Sequence, residues 1–396
     1  MRTDVRVGDL WSIIRLMGGL AAPLFLTIAG ISVGLRIPAQ LRRGENRVVL
    51  MQQLLARGLQ IVLLGYLLRL QMWLIDFGAI RDHRAWLPTA FLLSAYLLAY
   101  VGIGRFWRLN RTQFAGFVVF SALFFSIGIY QVFSFAPHRV EGILRVDILQ
   151  SIGASLAAIS IVGRSVDVFT KHPYLGLFLG VIVAFATPAM RSLMPGPLPE
   201  GLASYIAIWE TGTGKKAVSF FPLFPWMAYA FIGISIGAYW ERAKTRGYLT
   251  PSVLLFGAMG AFVSFCCYES HPLIYRLTSD YSFITQPIRV FYREGAVLLV
   301  GGFALLLGRP QMINWLPFRT LGCASLLIYW IHLEFAYGVI AKPLKLTMGI
   351  SQWLWGFIAL TAVMTIIAWL RMRIRLASIG SWFHDYGLAT FKHERS

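Results

Sequence analysis

Charged residues are scarce in this chain of 396 residues, since Asp, Glu, Lys and Arg together make up only 13% of it. Soluble domains carry about a quarter, so the composition excludes an ordinary soluble protein of this length. Hydrophobic residues make up 57% of the sequence. Apolar runs of about 20 residues recur from end to end, and each can cross the hydrocarbon core of a bilayer. The sequence therefore predicts an all-α, polytopic membrane protein.

Cysteine and acidic residues are also few. The three cysteines, Cys266, Cys267 and Cys323, lie in apolar segments and lack the Cys/His spacing of zinc sites, so we expect no metal. Basic residues outnumber acidic ones by 36 to 17, which in a soluble protein would indicate nucleic-acid binding. Most of the excess falls in loops between apolar runs, where it is explained by membrane topology. We therefore expect no nucleic-acid partner.

The apolar runs predict about 11 transmembrane helices in one bundle, forming a single domain. The predicted helices are 17–35, 58–78, 87–105, 114–134, 143–162, 174–190, 220–240, 251–269, 288–308, 317–340 and 352–371. Residues 372–396 are predicted to form a cytoplasmic tail. The longest linker, 191–219, is rich in proline and glycine and polar enough to lie in water.

Basic residues concentrate in alternate loops, beginning with the loop that contains Arg36, Arg42, Arg43 and Arg47. Because cytoplasmic loops carry the excess of Lys and Arg, we expect this set of loops and the C-terminus to be cytoplasmic. Eleven helices would then leave the N-terminus outside, and one further upstream helix would make the topology more ordinary. Most acidic residues on the outer side, Glu294 among them, are interpreted as solvated.

Four ionisable residues fall inside predicted spans: Arg69, Asp147, His332 and Glu334. Such residues are costly in a membrane and tend to face a cavity or a partner. Their depths all fall in the outer half, which predicts a shared hollow beneath the outer surface. His332 and Glu334 cannot share a helix face, whereas Tyr329 and His332 do. Either His332 is a general base and Glu334 pairs with Arg69, or His332 and Glu334 are a hydrogen-bonded packing device.

The stretch "SFFPLFPWMAYAFIGISIG" (219–237) begins at the outer boundary of its helix. Pro222 and Pro225 fall in the first turn, where a missing amide donor costs little. Trp226 sits at interface depth, and Gly233 and Gly237 form a small-xxx-small packing pair. The stretch is either a well-built helix start or a proline-bent entry whose tryptophan lines a sugar-binding wall.

Five stretches, taken in order, resemble bacterial members of the heparan-α-glucosaminide N-acetyltransferase catalytic-domain family, a group of multi-pass transmembrane acyltransferases. They are "APLFLTIAGISVGL" (22–35), "RGLQIVLLGYLLRL" (57–70), "ILRVDILQSIGASL" (143–156), "FFPLFPWMAYAFIGISIG" (220–237) and "LGCASLLIYWIHLEFAYG" (321–338). The "FPLFPW" and "LG-x-x-SL-x-x-Y-x-x-H" patterns are the most specific.

The resemblance implies transfer of an acyl group from cytoplasmic acyl-CoA to a hydroxyl or amine of an extracytoplasmic glycan. His332 matches the family's histidine after "SLLIYWI", and Asp147 and Gln150 match its "VDILQ-x-IG" helix. Members usually begin with a helix that carries "RG" followed by a histidine, yet the first histidine here is His83. We therefore expect either a true start further upstream or the loss of that element.

The sequence thus yields a complete set of expected site residues. Catalytic roles are expected for His332, Asp147 and Glu334, substrate binding for Arg69, Arg145, Gln150, Trp226 and Tyr329, and acyl-CoA binding for Arg57 and Arg105. The co-substrate is expected to be acetyl-CoA. Expected partners are membrane lipid, a glycan acceptor and, as a further candidate, a second copy of the chain. The expected location is the bacterial inner membrane. A transporter or flippase, and a catalytically inactive homologue, are the alternatives.

Overall fold

The structure is a computed structural model. It describes residues 9–80, 145–194, 196–209, 219–246, 255–267, 281–307, 320–322, 324–337 and 347–373, together with residues 119, 123 and 344. The chain divides into two compact units. The larger unit comprises Asp9–Tyr66 and His138–Arg309, and the smaller unit comprises Met1–Gly8, Leu67–Pro137 and Pro310–Ser396.

The described part of the chain is helical, as predicted. The helices are α1 (Asp9–Arg42), α2 (Arg47–Ile80), α3 (Ile148–Ser165), α4 (Tyr174–Leu193), α5 (Glu200–Ile206), α6 (Leu223–Thr245), α7 (Leu255–Cys267), α8 (Tyr281–Leu307), α9 (Ser325–Tyr337) and α10 (Ile350–Arg373). A helix satisfies its backbone groups internally, which is the condition for crossing hydrocarbon. Long apolar sequences therefore favour this architecture.

Six described helices are long and apolar enough to cross a membrane. They are the segments Gly18–Arg42, Arg47–Arg69, Ile148–Ser165, Tyr174–Leu193, Leu223–Lys244 and Ile350–Leu370. These six coincide with predicted spans, so the chain is a multi-pass membrane protein. The predicted helices 87–105 and 114–134 and the tail 372–396 lie almost entirely outside the described residues. The total of 11 and the single domain remain predictions.

The larger unit is organised around α1 and α6, which pack backbone to backbone. A Cβ atom on Gly30 would overlap the carbonyl oxygen of Ala230, and one on Gly34 would overlap that of Ile234. On the facing helix, a Cβ atom on Gly233 or Gly237 would overlap the backbone of α1. The predicted packing role of Gly233 and Gly237 is therefore confirmed. Small residues allow this close approach where no hydrophobic force drives helices together.

Helices α2 and α3 pack in the same manner. A Cβ atom on Gly58 would lie 2.6 Å from the carbonyl oxygen of Gly153. Ser160 donates a hydrogen bond to the carbonyl oxygen of Met51 at 2.8 Å, and Arg47 donates one to that of Gly163 at 2.8 Å. The start of α2 is thus fixed against the end of α3, and the two helices run antiparallel.

The predicted water-exposed linker 191–219 is partly folded onto the larger unit. It contains α5, in which Ala203 and Ser204 are buried, and Trp209 beyond it is 2% exposed. Ala207 forms an isolated parallel bridge with Phe224 at the start of α6. The interpretation of the linker as solvated was therefore wrong for these residues, because their apolar side chains cover the start of α6.

In the smaller unit, α9 packs against α10. Helix α10 exposes large apolar side chains along much of its length, including Trp355, Phe357 and Ile366. An apolar surface of this kind is what a helix presents to lipid rather than to water.

Candidate functional site

Asp147 and Gln150 together cap the start of α3. Asp147 occupies the N-cap position with an extended backbone, and the pair forms a capping box. The backbone N–H of Asp147 donates a hydrogen bond to Oε1 of Gln150 at 3.2 Å. This is the expected use of an Asp followed three residues later by a Gln, because the first amides of a helix lack partners within the helix. The cap fixes both side chains relative to the helix.

Gln150 is completely enclosed, with 0% of its surface exposed. The hydroxyl of Tyr205 on α5 donates a hydrogen bond to the backbone carbonyl oxygen of Gln150 at 3.2 Å. Gly65 on α2 approaches the side chain so closely that a Cβ atom there would lie 2.7 Å from the Gln150 Cδ atom. Burial, and then the neighbouring Tyr66, raise the pKa of Tyr205, so its hydroxyl remains a hydrogen-bond donor. Helix α2 thus packs against the Gln150 side-chain amide, and α5 bonds to the Gln150 backbone.

Arg145 lies beside this cap, between a carboxylate and an aromatic ring. Its Nε atom is 3.5 Å from Oδ1 of Asp147, and both side chains are about one quarter exposed. Its Cζ atom lies 3.2 Å from the centroid of the Phe220 ring. Cations are attracted to the faces of aromatic rings, so both neighbours favour the charged guanidinium. The pair presents one positive and one negative group at the start of α3.

The segment before α6 is bound directly to the residue before Asp147. The backbone N–H groups of Phe220 and Phe221 both point at the carbonyl oxygen of Val146, at 3.3 Å. The Val146 N–H in turn donates to Oγ of Ser219 at 3.2 Å. The starts of α3 and α6 are therefore adjacent, which brings the "VDILQ" and "FPLFPW" stretches together.

Trp226 stands in an aromatic cluster in the first turn of α6. Its ring centroid is 4.8 Å from that of Phe221 and 5.8 Å from that of Tyr229. The guanidinium of Arg293 on α8 lies over the Trp226 ring, with Cζ 5.9 Å from the centroid. We call the end of the larger unit that carries Arg145, Asp147, Gln150, Phe220 and Trp226 the site end.

Glu294 is the residue that the sequence interpretation placed wrongly. It is buried in α8, with 3% of its surface exposed, rather than solvated. Its Oε2 atom accepts a hydrogen bond from Oγ1 of Thr27 at 2.8 Å. Val290 and Val297 are also buried, and their spacing around Glu294 is that of one helix face. That spacing is the signal that could have identified it.

His332 and Tyr329 form the predicted shared face on α9, within the smaller unit. Their ring centroids are 5.3 Å apart and the rings meet edge to face. The Nδ1 atom of His332 lies 3.1 Å from the carbonyl oxygen of Ile328. A carbonyl can only accept, so this contact requires the proton on Nδ1 and leaves the lone pair of a neutral imidazole on Nε2. The geometry is that of an oriented base.

The remaining predicted residues are not brought to the site end by what the structure describes. Arg69 is half-buried on the part of α2 that belongs to the smaller unit. The side chain of Glu334 and the whole of Arg105 lie outside the described residues, so the Arg69–Glu334 pair stays a prediction. Arg57 is largely exposed on α2, near enough to Arg36 for their charges to repel. The hollow shared by Asp147 and His332 also stays a prediction.

Within the described ranges no group of three or more His, Cys, Asp or Glu side chains is arranged to hold a metal ion. Cys266 and Cys267 are both free thiols at the end of α7. Adjacent cysteines rarely bond to each other.

The sequence profile described as heparan-alpha-glucosaminide N-acetyltransferase, catalytic, matches residues 2–268 of the chain. The match covers α1 to α7 and contains Arg145, Asp147, Gln150 and Trp226. No curated protein and no solved structure matches the chain.

Proposed function

This chain belongs to the heparan-α-glucosaminide N-acetyltransferase catalytic family, and from that premise we propose that it is a membrane acetyltransferase which uses cytoplasmic acetyl-CoA to acetylate an extracytoplasmic glycan. The observation that carries the proposal is the gathering of Arg145, Asp147, Gln150 and Trp226 at the site end. These residues come from two separate stretches of sequence and meet through the contacts with Val146.

The chemistry of the site end suits a sugar acceptor. A pyranose presents hydroxyl groups that need hydrogen-bonding partners and an apolar face that packs on aromatic rings. Asp147 and Arg145 supply an acceptor and donors, and Phe220 and Trp226 supply rings. Binding sites of this kind combine apolar walls with a few placed polar groups. We therefore assign the acceptor to this end.

The opposite end of the larger unit suits acetyl-CoA, the donor of the acetyl group. Arg42 at the end of α1 is bonded to Glu241 near the end of α6, and Arg47 contacts the end of α3. We call this the basic end, because the helix termini there carry a set of basic residues: Arg42, Arg43, Arg47, Arg164, Arg242, Lys244 and Arg246. The positive-inside rule supports a cytoplasmic location for this end. We propose the same side for the C-terminus, and a bacterial inner membrane as the location of the protein.

Acetyl-CoA carries several phosphate charges, and a basic surface raises the local concentration of such an anion. Arg57 on α2 and Arg36 on α1 lie near enough to each other for their charges to repel. Their mutual repulsion would be relieved by a bound phosphate. This supports the expected role of Arg57 in binding acetyl-CoA.

In the proposed reaction, an acceptor hydroxyl or amine attacks the thioester carbonyl carbon and loses its proton to a base. The carbon–sulfur bond then breaks and CoA leaves as its thiolate, which takes up a proton. We propose Nε2 of His332 as the base, because the Ile328 carbonyl holds the Nδ1 proton and leaves Nε2 able to accept one. A positioned base of this type contributes about 10²–10⁴-fold to a rate.

The proposal is tested with purified protein in liposomes, with radiolabelled acetyl-CoA on one side and a glycan acceptor on the other. Transfer of label to the glycan is the expected result. Movement of the glycan without acetylation would instead identify a transporter or flippase. The absence of both acetylation and glycan movement would identify an inactive homologue.

A matched pair of tryptophan variants tests the location of the acceptor. Trp226→Ala should raise the acceptor KM by about tenfold or more, because it removes one wall of the proposed site. Trp355→Ala, which changes a side chain that is 70% exposed on α10, should leave the KM unchanged. Equal effects of the two variants would contradict the assignment.

A further inference from the structure

The orientation of the Gln150 side-chain amide follows from its partner. The backbone N–H of Asp147 can only donate, so the atom that faces it at 3.2 Å must be the amide oxygen. The amide nitrogen Nε2 therefore points away from Asp147. This NH₂ group is fully buried and has no hydrogen-bond partner among the described residues. Buried donors are nearly always satisfied, which indicates that a ligand atom completes this one.

The NH₂ group of Gln150 is also held rigidly. Gly65 packs against the Gln150 Cδ and Oε1 atoms, each 2.7 Å from the position of a Cβ atom. The Tyr205 hydroxyl fixes the Gln150 backbone through its carbonyl oxygen. A donor that is fixed before the reaction does not need to reorganise when charge develops, which is the property of an oxyanion site.

The position of Gln150 strengthens this property. It is the third residue of an 18-residue helix, and the amides at a helix start carry a partial positive charge that favours a nearby anion. The neighbouring Arg145 guanidinium is paired with the Asp147 carboxylate, so their two charges largely offset each other. The start of α3 therefore combines a buried, fixed donor with the partial positive charge of a helix start.

We propose that the Gln150 NH₂ group stabilises the oxyanion that forms on the acetyl group during transfer, an inference that rests on the proposed function. When the acceptor oxygen or nitrogen attacks, a bond forms to the carbonyl carbon and the carbonyl electron pair moves onto its oxygen. Nε2 of Gln150 donates a hydrogen bond to that negative oxygen. The electron pair then returns, the carbon–sulfur bond breaks, and CoA departs with the electrons of that bond.

The test compares Gln150→Glu with wild type. Glutamate has the same shape and keeps an oxygen for the Asp147 N–H, but it replaces the donor with an acceptor. Loss of one oxyanion donor lowers kcat by about 10²–10³-fold, and we expect this loss with KM values within about threefold of wild type. An unchanged kcat would overturn the proposal. A raised KM with unchanged kcat would overturn it too, since Gln150 would then bind the ground state as strongly as the transition state.

Two further variants distinguish the loss of the Gln150 hydrogen-bond donor from a general loss of folding stability. Gly65→Ala adds a methyl group on α2 that would displace the Gln150 amide without changing Gln150 itself. It should lower kcat, as Gln150→Glu does. Ser155→Ala removes a buried hydroxyl five residues further along α3, which donates a hydrogen bond to the Ser151 carbonyl oxygen of the same helix. It should leave kcat within about twofold of wild type. Loss of kcat in Ser155→Ala equal to that in Gln150→Glu would contradict a specific role.

A spectroscopic measurement does not depend on turnover or on full folding yield. The infrared carbonyl stretch of bound acetyl-CoA, labelled with heavy carbon at the carbonyl, should move to lower frequency in wild type and return in Gln150→Glu. An identical frequency in the two proteins would overturn the proposal. If wild type transfers no acetyl group to any acceptor, the proposed function fails first and this inference fails with it.

Discussion

Thr27 and Glu294 form a buried hydrogen bond of 2.8 Å between residues 267 positions apart in the chain. The bond joins α1 to α8 inside the larger unit. The carboxyl group of Glu294 is almost completely enclosed. Its second oxygen, Oε1, lacks a hydrogen-bond partner in the described part of the chain. A carboxyl group in these surroundings depends strongly on the single hydroxyl that faces it.

Removing that hydroxyl should destabilise the larger unit. Thr27→Val keeps the side-chain shape but leaves the Glu294 carboxyl without its donor, which we expect to cost about 1–3 kcal/mol of unfolding free energy. Thr27→Ser keeps the hydroxyl and is the matched control. Thermal unfolding in detergent measures both, and equal midpoints for the two variants would contradict the importance of the bond.

The contact between α1 and α6 gives a second prediction. Gly30→Ala should destabilise the protein by about 1–3 kcal/mol, because the new methyl group would overlap the Ala230 carbonyl oxygen and force the helices apart. Gly301→Ala on α8 has no neighbouring atom within 4 Å. It should be neutral or gain up to about 1 kcal/mol from helix propensity. A reversed order of the two unfolding midpoints would refute the backbone contact.

Asp167, in the loop between α3 and α4, provides a pH-dependent prediction. Partial burial would raise its pKa, but hydrogen bonds from the Thr170 side chain and from the backbone of Thr170, Lys171 and Phe169 outweigh it and lower the pKa below the ordinary 3.8. A lowered pKa in the folded state adds stability above the unfolded pKa, and this stability is lost as pH falls through the folded one.

Asp167→Asn should therefore lower the unfolding midpoint at neutral pH, by an amount corresponding to about 1 kcal/mol for the weakened hydrogen bonds to the loop. The difference from wild type should shrink below pH 4 and disappear below the folded pKa of Asp167. The unfolding midpoint measured across acidic pH checks this. A difference that stayed constant with pH would show that the charge of Asp167 is not involved.

His332 can be tested with a variant that preserves its local bond. Asn places an N–H near the position of Nδ1 and can keep the contact with the Ile328 carbonyl, but it has no basic nitrogen. Both His332→Asn and His332→Ala should reduce acetyl transfer by about 100-fold or more while leaving expression intact. Phe335→Ala, which removes a side chain that is 40% exposed elsewhere on α9, is the control and should retain most activity. Full turnover in His332→Asn would remove the imidazole from the chemistry.

The predicted pairing of Arg69 and Glu334 requires a double-mutant cycle. If the two side chains are in contact, the Arg69→Ala and Glu334→Ala effects on stability should be non-additive by about 0.5–3 kcal/mol. Additive effects would show that the two residues act separately.

The sequence was sufficient for the helices and for several local relations within them. The spacing of Gly233 and Gly237 predicted close packing, and the spacing of Tyr329 and His332 predicted one face, because both depend only on helix geometry. Asp147 and Gln150 were placed on one helix by the same reasoning. These relations are short-range, so the period of the helix determines them.

The sequence did not reveal relations between helices. Glu294 was interpreted as solvated together with most acidic residues of the outer side, whereas its burial and its contact with Thr27 show that this face of α8 is internal. The Gln150 amide packs against Gly65, and the Gln150 backbone is bonded to Tyr205, and these two partners lie on two other helices. Such packing is set by which helices become neighbours, and the periodicity of one segment carries no information on that.

The glycine contacts between α1 and α6 also limit how the protein can move. The backbones of α1 and α6 touch along two turns, and no flexible side chains lie between them that could adjust if one helix slid past the other. The two helices should therefore move together as one stiff beam. Alternating access by rocking these helices apart would have to break that contact on every cycle. Any opening during turnover must therefore come from the elements around the beam, which makes it a fixed frame against which other helices move.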